Sequence, residues 1–169
     1  MKFNIRLIVF TAAAATFFQA YAGDQVANYA KKSGYKSCLS TVSDIENFFT
    51  QDPNYGSWAF VAKEKPDDQV LNATLELSYS DGTTLVDFTI SPTKDGSCSY
   101  TYSRTFYSDK SCIATSKEEY MTNATYKTEI NKVITGFEDG SSRILLMPAG
   151  PGCIVQKKEI GFRNNKQGL

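Results

Sequence analysis

The chain has 169 residues, with 18 basic and 18 acidic side chains, so it carries one domain's worth of sequence and no net charge. Forty-one per cent of it is hydrophobic, enough for a packed core. It has no histidine, which excludes Ser-His-Asp and Cys-His nucleophilic machinery and His-containing zinc sites, and the balanced charge without a basic run speaks against a nucleic-acid partner.

Residues 1–22 read as a signal peptide. Lys2 and Arg6 form a positive start, Leu7 to Phe18 an uncharged apolar run, and Ala20-Tyr21-Ala22 a small-residue cleavage site. The run is too short for a membrane span, and no later stretch is long and apolar enough. Cleavage after Ala22 would remove two bases and no acid, giving a mature net charge of −2. The expected location is periplasmic or secreted. All four cysteines lie beyond this segment, and an even count in an exported chain points to two disulfides.

The mature part, 23–162, reads as a single α+β domain. Residues 24–51 are expected to be helical, interrupted near Gly34. Val42, Ile45, Phe48 and Phe49 recur at helical spacing, Ser43-Asp44-Ile45-Glu46 fits a capping box, and Asp52-Pro53 stops the helix. From Ser57 the period changes to two. In 69–79, Leu71, Ala73, Leu75, Leu77 and Tyr79 alternate with polar residues. An Asp81-Gly82 hairpin leads into 84–90 and sets Leu75 opposite Phe88, Leu77 opposite Val86 and Ala73 opposite Ile90. A Lys65–Asp68 loop and a Pro92–Gly96 loop extend the rows. They bring Trp58 and Tyr100, then Phe60 and Cys98, onto the same core face. The opposite face is small and hydroxyl-rich and reads as solvated. Strands are further expected at 124–137, 142–148 and 153–161, with 163–169 as a frayed tail. The whole is a curved antiparallel meander of about seven strands under an N-terminal helix.

Strand direction arbitrates the cysteines. In an up-and-down meander Cys38 and Cys98 fall at one end and Cys112 and Cys153 at the other. The expected bridges are therefore Cys38–Cys98 and Cys112–Cys153.

Three features bear on function. Glu76 and Asp87 are expected to face each other across a strand pair, where two carboxylates could share a proton or act as an acid and a nucleophile; splaying into water is the alternative. The hairpin 126–148 is apolar on both faces, with Val133, Leu146 and Ile144 on one side, and needs cover from 112–123 or from a partner. Phe106, Tyr107, Asp109, Lys110 and Tyr120 suit a recognition loop, since tyrosine serves recognition well. Asn72 and Asn123 begin glycosylation sequons. No cofactor motif or metal-ligand spacing is present. The function expected from these residues is a non-enzymatic binding protein for a protein partner, of inhibitor or immunity type. The alternatives are a lipocalin-like carrier lined by Trp58, Phe88 and Tyr100, and a small hydrolase using Glu76 and Asp87.

Overall fold

A computed structural model describes residues 24–164. The expected signal peptide and the end of the tail lie outside the described residues. Two helices come first, α1 (Gln25–Lys32) and α2 (Leu39–Thr50). Four strands follow: β1 (Asn54–Val61), β2 (Leu71–Tyr79), β3 (Gly82–Pro92) and β4 (Cys98–Ser108). A short helix, α3 (Cys112–Thr115), opens the second half. It leads to β5 (Thr125–Glu129), β6 (Thr135–Asp139), β7 (Ser142–Ala149) and β8 (Gly152–Arg163).

All eight strands form one antiparallel sheet in the order β1-β2-β3-β4-β8-β7-β6-β5. The expected α+β class and antiparallel sheet are present, with one strand more than expected. The extra strand arises because 124–137 folds as two strands, β5 and β6, around a turn. The meander is also interrupted. After β4 the chain crosses to the far edge and works back, so β8 returns beside β4. Each half is thus a helical segment followed by a four-stranded meander, and the fourth strands meet at the centre. Nothing in the amino-acid sequence repeats visibly, yet the topology does.

Both disulfides are the expected ones, with S–S distances of 2.06 Å for Cys38–Cys98 and 2.01 Å for Cys112–Cys153. The second survives the broken meander for a simple reason. Strand β8 runs antiparallel to β4, so Ser108 at the end of β4 pairs with Cys153 at the start of β8. Cys112, four residues on, is then within reach.

The sheet has a covered inner face and an open outer face. Beneath α1 and α2, the buried Val26, Ala30, Tyr35, Val42, Ile45 and Phe49 pack on Leu71, Ala73, Leu75, Leu77, Val86, Phe88 and Ile90. A smaller core gathers Met121, Ile144, Leu146 and Val155 around the Cys112–Cys153 bridge, with Phe106 and Phe137 against it. The 112–123 segment therefore covers Ile144 and Leu146 of the apolar hairpin, while Val133 stays exposed.

Helix α2 begins at Leu39, so Ser43 lies inside it and the expected capping box is not formed. Glu46 caps the other helix. It is fully buried and accepts the N–H of Val26 at 2.8 Å, the N–H of Ala27 at 2.9 Å and the Tyr55 hydroxyl at 2.9 Å. A carboxylate there satisfies amides left over at the start of α1. Phe48 points out to solvent, unlike Val42, Ile45 and Phe49.

The registers differ from expectation in two ways. Between β2 and β3 the turn is Ser80-Asp81, because Tyr79 pairs with Gly82. The pairing is displaced by two residues: Leu75 faces Val86, Ala73 faces Phe88 and Leu71 faces Ile90. A shift of two preserves the faces and sets the large Phe88 ring opposite the small Ala73. Between β1 and β2 the displacement is one residue, which reverses the faces. Ala59 pairs with Ala73 and Ser57 with Leu75 on the inner side, while Trp58 pairs with Thr74 and Phe60 with Asn72 on the outer side. The connection, 62–70, is longer than the expected loop and contains a 3-10 turn at Pro66–Asp68. Helix α1 lies against β1, where the small Ser57 and Ala59 leave room for it and Trp58 and Phe60 would not.

Residue 163, expected in a frayed tail, is instead the last residue of β8. Arg163 pairs with Cys98 in the sheet and forms an ion pair with Asp44 of α2.

Candidate functional site

On the outer face the registers align into rungs that cross the sheet. One runs Phe60, Asn72, Thr89, Thr101, Ile160; the next runs Trp58, Thr74, Asp87, Ser103, Lys158, Arg143, Glu138. The middle of each rung is polar and its flanks carry large or charged side chains. Phe60 and Ile160 stand four strand spacings apart, about 19 Å along the sheet. Between them lies a groove of about 840 Å³, with Val70 beside Phe60 and with Lys158 and Arg143 on the Ile160 side. No helix of the described residues covers it.

The apolar side chains of this face are strongly exposed. Trp58 is 82% accessible, Ile160 78% and Phe60 59%, and Leu85 is also exposed. A solvated antiparallel sheet face normally carries polar residues, so large apolar groups there mark a contact surface. None of Trp58, Phe60 and Ile160 was expected on this face. The signal available in the sequence was the small Ser57 and Ala59 alternating with Trp58 and Phe60, which fits a strand edge under a helix as well as it fits the opposite parity.

The groove floor is internally bonded. Asn72 Nδ2 donates to Asp87 Oδ1 at 3.2 Å, to the Phe88 carbonyl at 3.2 Å and to Thr89 Oγ1 at 2.9 Å. Thr74 donates to Asp87 Oδ1 at 3.3 Å. The amide of the first sequon is therefore committed to the groove. On the far flank Arg143 pairs with Glu138 at 3.0 Å and Lys127 with the same carboxylate at 3.0 Å; the Lys127 hydrogen bond, with both cations, holds Glu138 below the usual carboxylate range.

Beneath the same strands, the inner face carries a polar link. Tyr102 and Ser142 both donate to Glu159, the latter at 2.6 Å, and Lys157 lies 3.5 Å away. Burial pushes the Glu159 carboxyl up, but the two hydroxyls and Lys157 outweigh it and hold it below its ordinary range. Burial, then the Glu159 contact, pushes the Tyr102 phenol well above its ordinary range. A second cavity, about 410 Å³, lies between α2 and β4 and β8 beside Phe48, Phe49, Tyr100 and Tyr102. Its charged groups, Asp44 and Arg163, satisfy each other.

The residues singled out from the sequence do not form one surface. Glu76 faces Leu85, and Asp87 faces Thr74, so the carboxylates are diagonal neighbours on the outer face and not the facing couple expected. Leu146 is 1% exposed and belongs to the smaller core, which removes it from any binding surface. Phe106 is on the inner face, partly buried, with its ring edge-on to Tyr120 at 5.7 Å. Tyr120 remains half open. Burial, then Glu118, raises its phenol. Lys110 pairs with Glu118 at 2.7 Å, which holds its ammonium above the ordinary range. Asp109 is exposed in the same crossover. Tyr107 is on the outer face and leans over Gly152, where a Cβ would come within 2.3 Å of its hydroxyl oxygen. Val133 is exposed in the turn between β5 and β6.

The pocket expected for a carrier is not assembled. Trp58 is outside, Phe88 is buried in the main core and Tyr100 lies on the inner face against Gly161, where a Cβ would fall 2.1 Å from its ring. Among the described residues no group of three Cys, Asp or Glu side chains could hold a metal ion, and no helix is long and apolar enough to cross a membrane. Comparison with protein-family models, curated proteins and solved structures finds no match.

Proposed function

We propose that the chain is an exported, disulfide-stabilised, non-enzymatic binding protein that recognises a protein partner, as an inhibitor or immunity-type factor, through the open face of its sheet. The observation that carries this reading is the exposure of Phe60 and Ile160 beside a groove floored by hydrogen-bonding side chains, with Trp58 exposed on the adjoining rung of the same uncovered sheet face. Aromatic anchors surrounded by polar groups are what protein interfaces use for most of their affinity. The scaffold suits the task. Both disulfides tie helical segments to the sheet at the two central strands and leave the outer face open. The two bridges also fit an oxidising compartment.

The test is retention of a partner from culture fluid or envelope extract of the source organism on immobilised protein. Wild type and the Ile113→Asp variant, altered at an exposed position of α3, are expected to retain the same protein. Trp58→Ala and Ile160→Asp are expected to lose it. Equal retention by all four proteins, or by none, would overturn the reading.

A further inference from the structure

We propose that Asp87 is the specificity anchor of this face and that the partner inserts a loop carrying a lysine or arginine to meet it. The inference rests on the reading of the outer face as a protein-docking surface and adds the chemistry of what docks there.

Three observations lead to it. The first is charge. The outward positions of β1 to β4 carry two carboxylates, Glu76 and Asp87, and no cation. The second is the state of the Asp87 carboxylate. Its Oδ1 accepts both neutral donors, Asn72 and Thr74, while Oδ2 has no hydrogen-bond partner among the described residues. The cations of the same rung do not compensate it. Lys158 is two strands away beyond Ser103 and makes no ion pair with Asp87, and Arg143 is held by Glu138. A half-buried carboxylate oriented by two donors, with one oxygen open to a groove, favours a cation supplied from outside.

The third is shape. The opening between Phe60 and Ile160, about 19 Å, is too wide to close round a small molecule. It admits the two limbs of a protein loop, which lie about 5 Å apart when paired. An inserted Lys or Arg would lay its alkyl stem along Phe60 or Ile160 and bring its charged head to Asp87 Oδ2. Lys158, on the opposite flank, would take an acidic group of the same loop. The groove therefore reads charge in a fixed orientation, acid on the β2–β3 side and base on the β8 side.

The experiment selects disulfide-closed peptide loops from a displayed random library against the full-length protein. Loops enriched by wild type are expected to carry a Lys or Arg at one common position. Their affinity is expected to fall about 30-fold on Asp87→Asn, and to weaken with added salt. Glu76→Gln should change it by no more than a few-fold, and Asp87→Lys should select loops with Asp or Glu there instead. Loops that lack a basic residue, bind wild type and Asp87→Asn alike and are lost on Trp58→Ala would keep the docking face and overturn the anchor. Failure to enrich any loop, or enrichment of loops indifferent to both substitutions, would overturn the docking face and the anchor together. Thermal melts of each variant confirm that its fold is intact before binding is read.

Discussion

Glu46 and Val26 are joined by a buried hydrogen bond of 2.8 Å that runs from the first turn of α1 to a carboxylate of α2. The bond places the start of one helix by a side chain of the next. With the Ala27 amide and the Tyr55 hydroxyl, Glu46 links α1, α2 and β1 at one point. The main core closes over that point.

Removing this carboxylate should be costly. Glu46→Ala removes the acceptor of the buried Val26 and Ala27 amides, and the expected loss is about 3 kcal/mol. Glu46→Gln retains one acceptor oxygen and should lose about half as much. Urea unfolding of the three proteins checks the order.

The two bridges should stabilise by similar amounts. They join residues 60 and 41 positions apart, and in the chain-entropy model loops of that size contribute about 4 kcal/mol each. Replacing Cys38 and Cys98 together by Ala, or Cys112 and Cys153 together, is therefore expected to lower the unfolding free energy by comparable amounts. Chemical denaturation under non-reducing conditions measures both.

Trp58 and Phe88 should respond oppositely to truncation. Phe88 is buried in the main core, so Phe88→Ala should cost about 3–5 kcal/mol of stability. Trp58→Ala should change stability by less than about 0.5 kcal/mol, yet weaken partner binding by about 2 kcal/mol if it acts as an interface anchor. Melting curves and a binding titration on the same samples separate the effects.

Glu159 should contribute to the acid limb of stability. Its carboxyl titrates lower in the folded chain than in the unfolded one. The stabilisation is therefore complete above the ordinary glutamate value of about 4.3 and is lost as the pH falls through the lower, folded value. Asp67, whose oxygen accepts the Lys36 and Ser37 amides, and Glu138 have the same sign, so acid weakens the fold at several points. Glu159→Gln should remove one part of this dependence. The wild-type and variant denaturation midpoints are expected to differ at neutral pH and to converge in acid; a constant gap would contradict the assignment.

Much of the architecture was legible because it depends on patterns with a short period. Alternation of two marked β2, β3 and β4 and named Leu71, Ala73, Leu75, Leu77, Tyr79, Val86, Phe88 and Ile90 as one face, and the structure buries all of them but Tyr79, which is exposed at the end of β2. The same pattern is blind to a shift of two, so it could not choose between Ala73 facing Ile90 and Ala73 facing Phe88. That choice decided whether Glu76 and Asp87 face each other. In β1 the pattern put Trp58 and Phe60 on the core face, and the structure reverses it, with α1 packed on the small Ser57 and Ala59 side. Trp58 and Phe60 left the core for that reason.

The amino-acid sequence by itself determined the α+β class and the apolar faces of β2 and β3, since those follow from local periodicity. Only the tertiary structure decided that β8 lies beside β4 and that Trp58, Phe60, Asp87, Ile160 and Lys158 share one open face. The reason is that a cross-strand neighbour is set by pairing between segments far apart in the chain, and no local pattern encodes which distant strand supplies the other side of a groove.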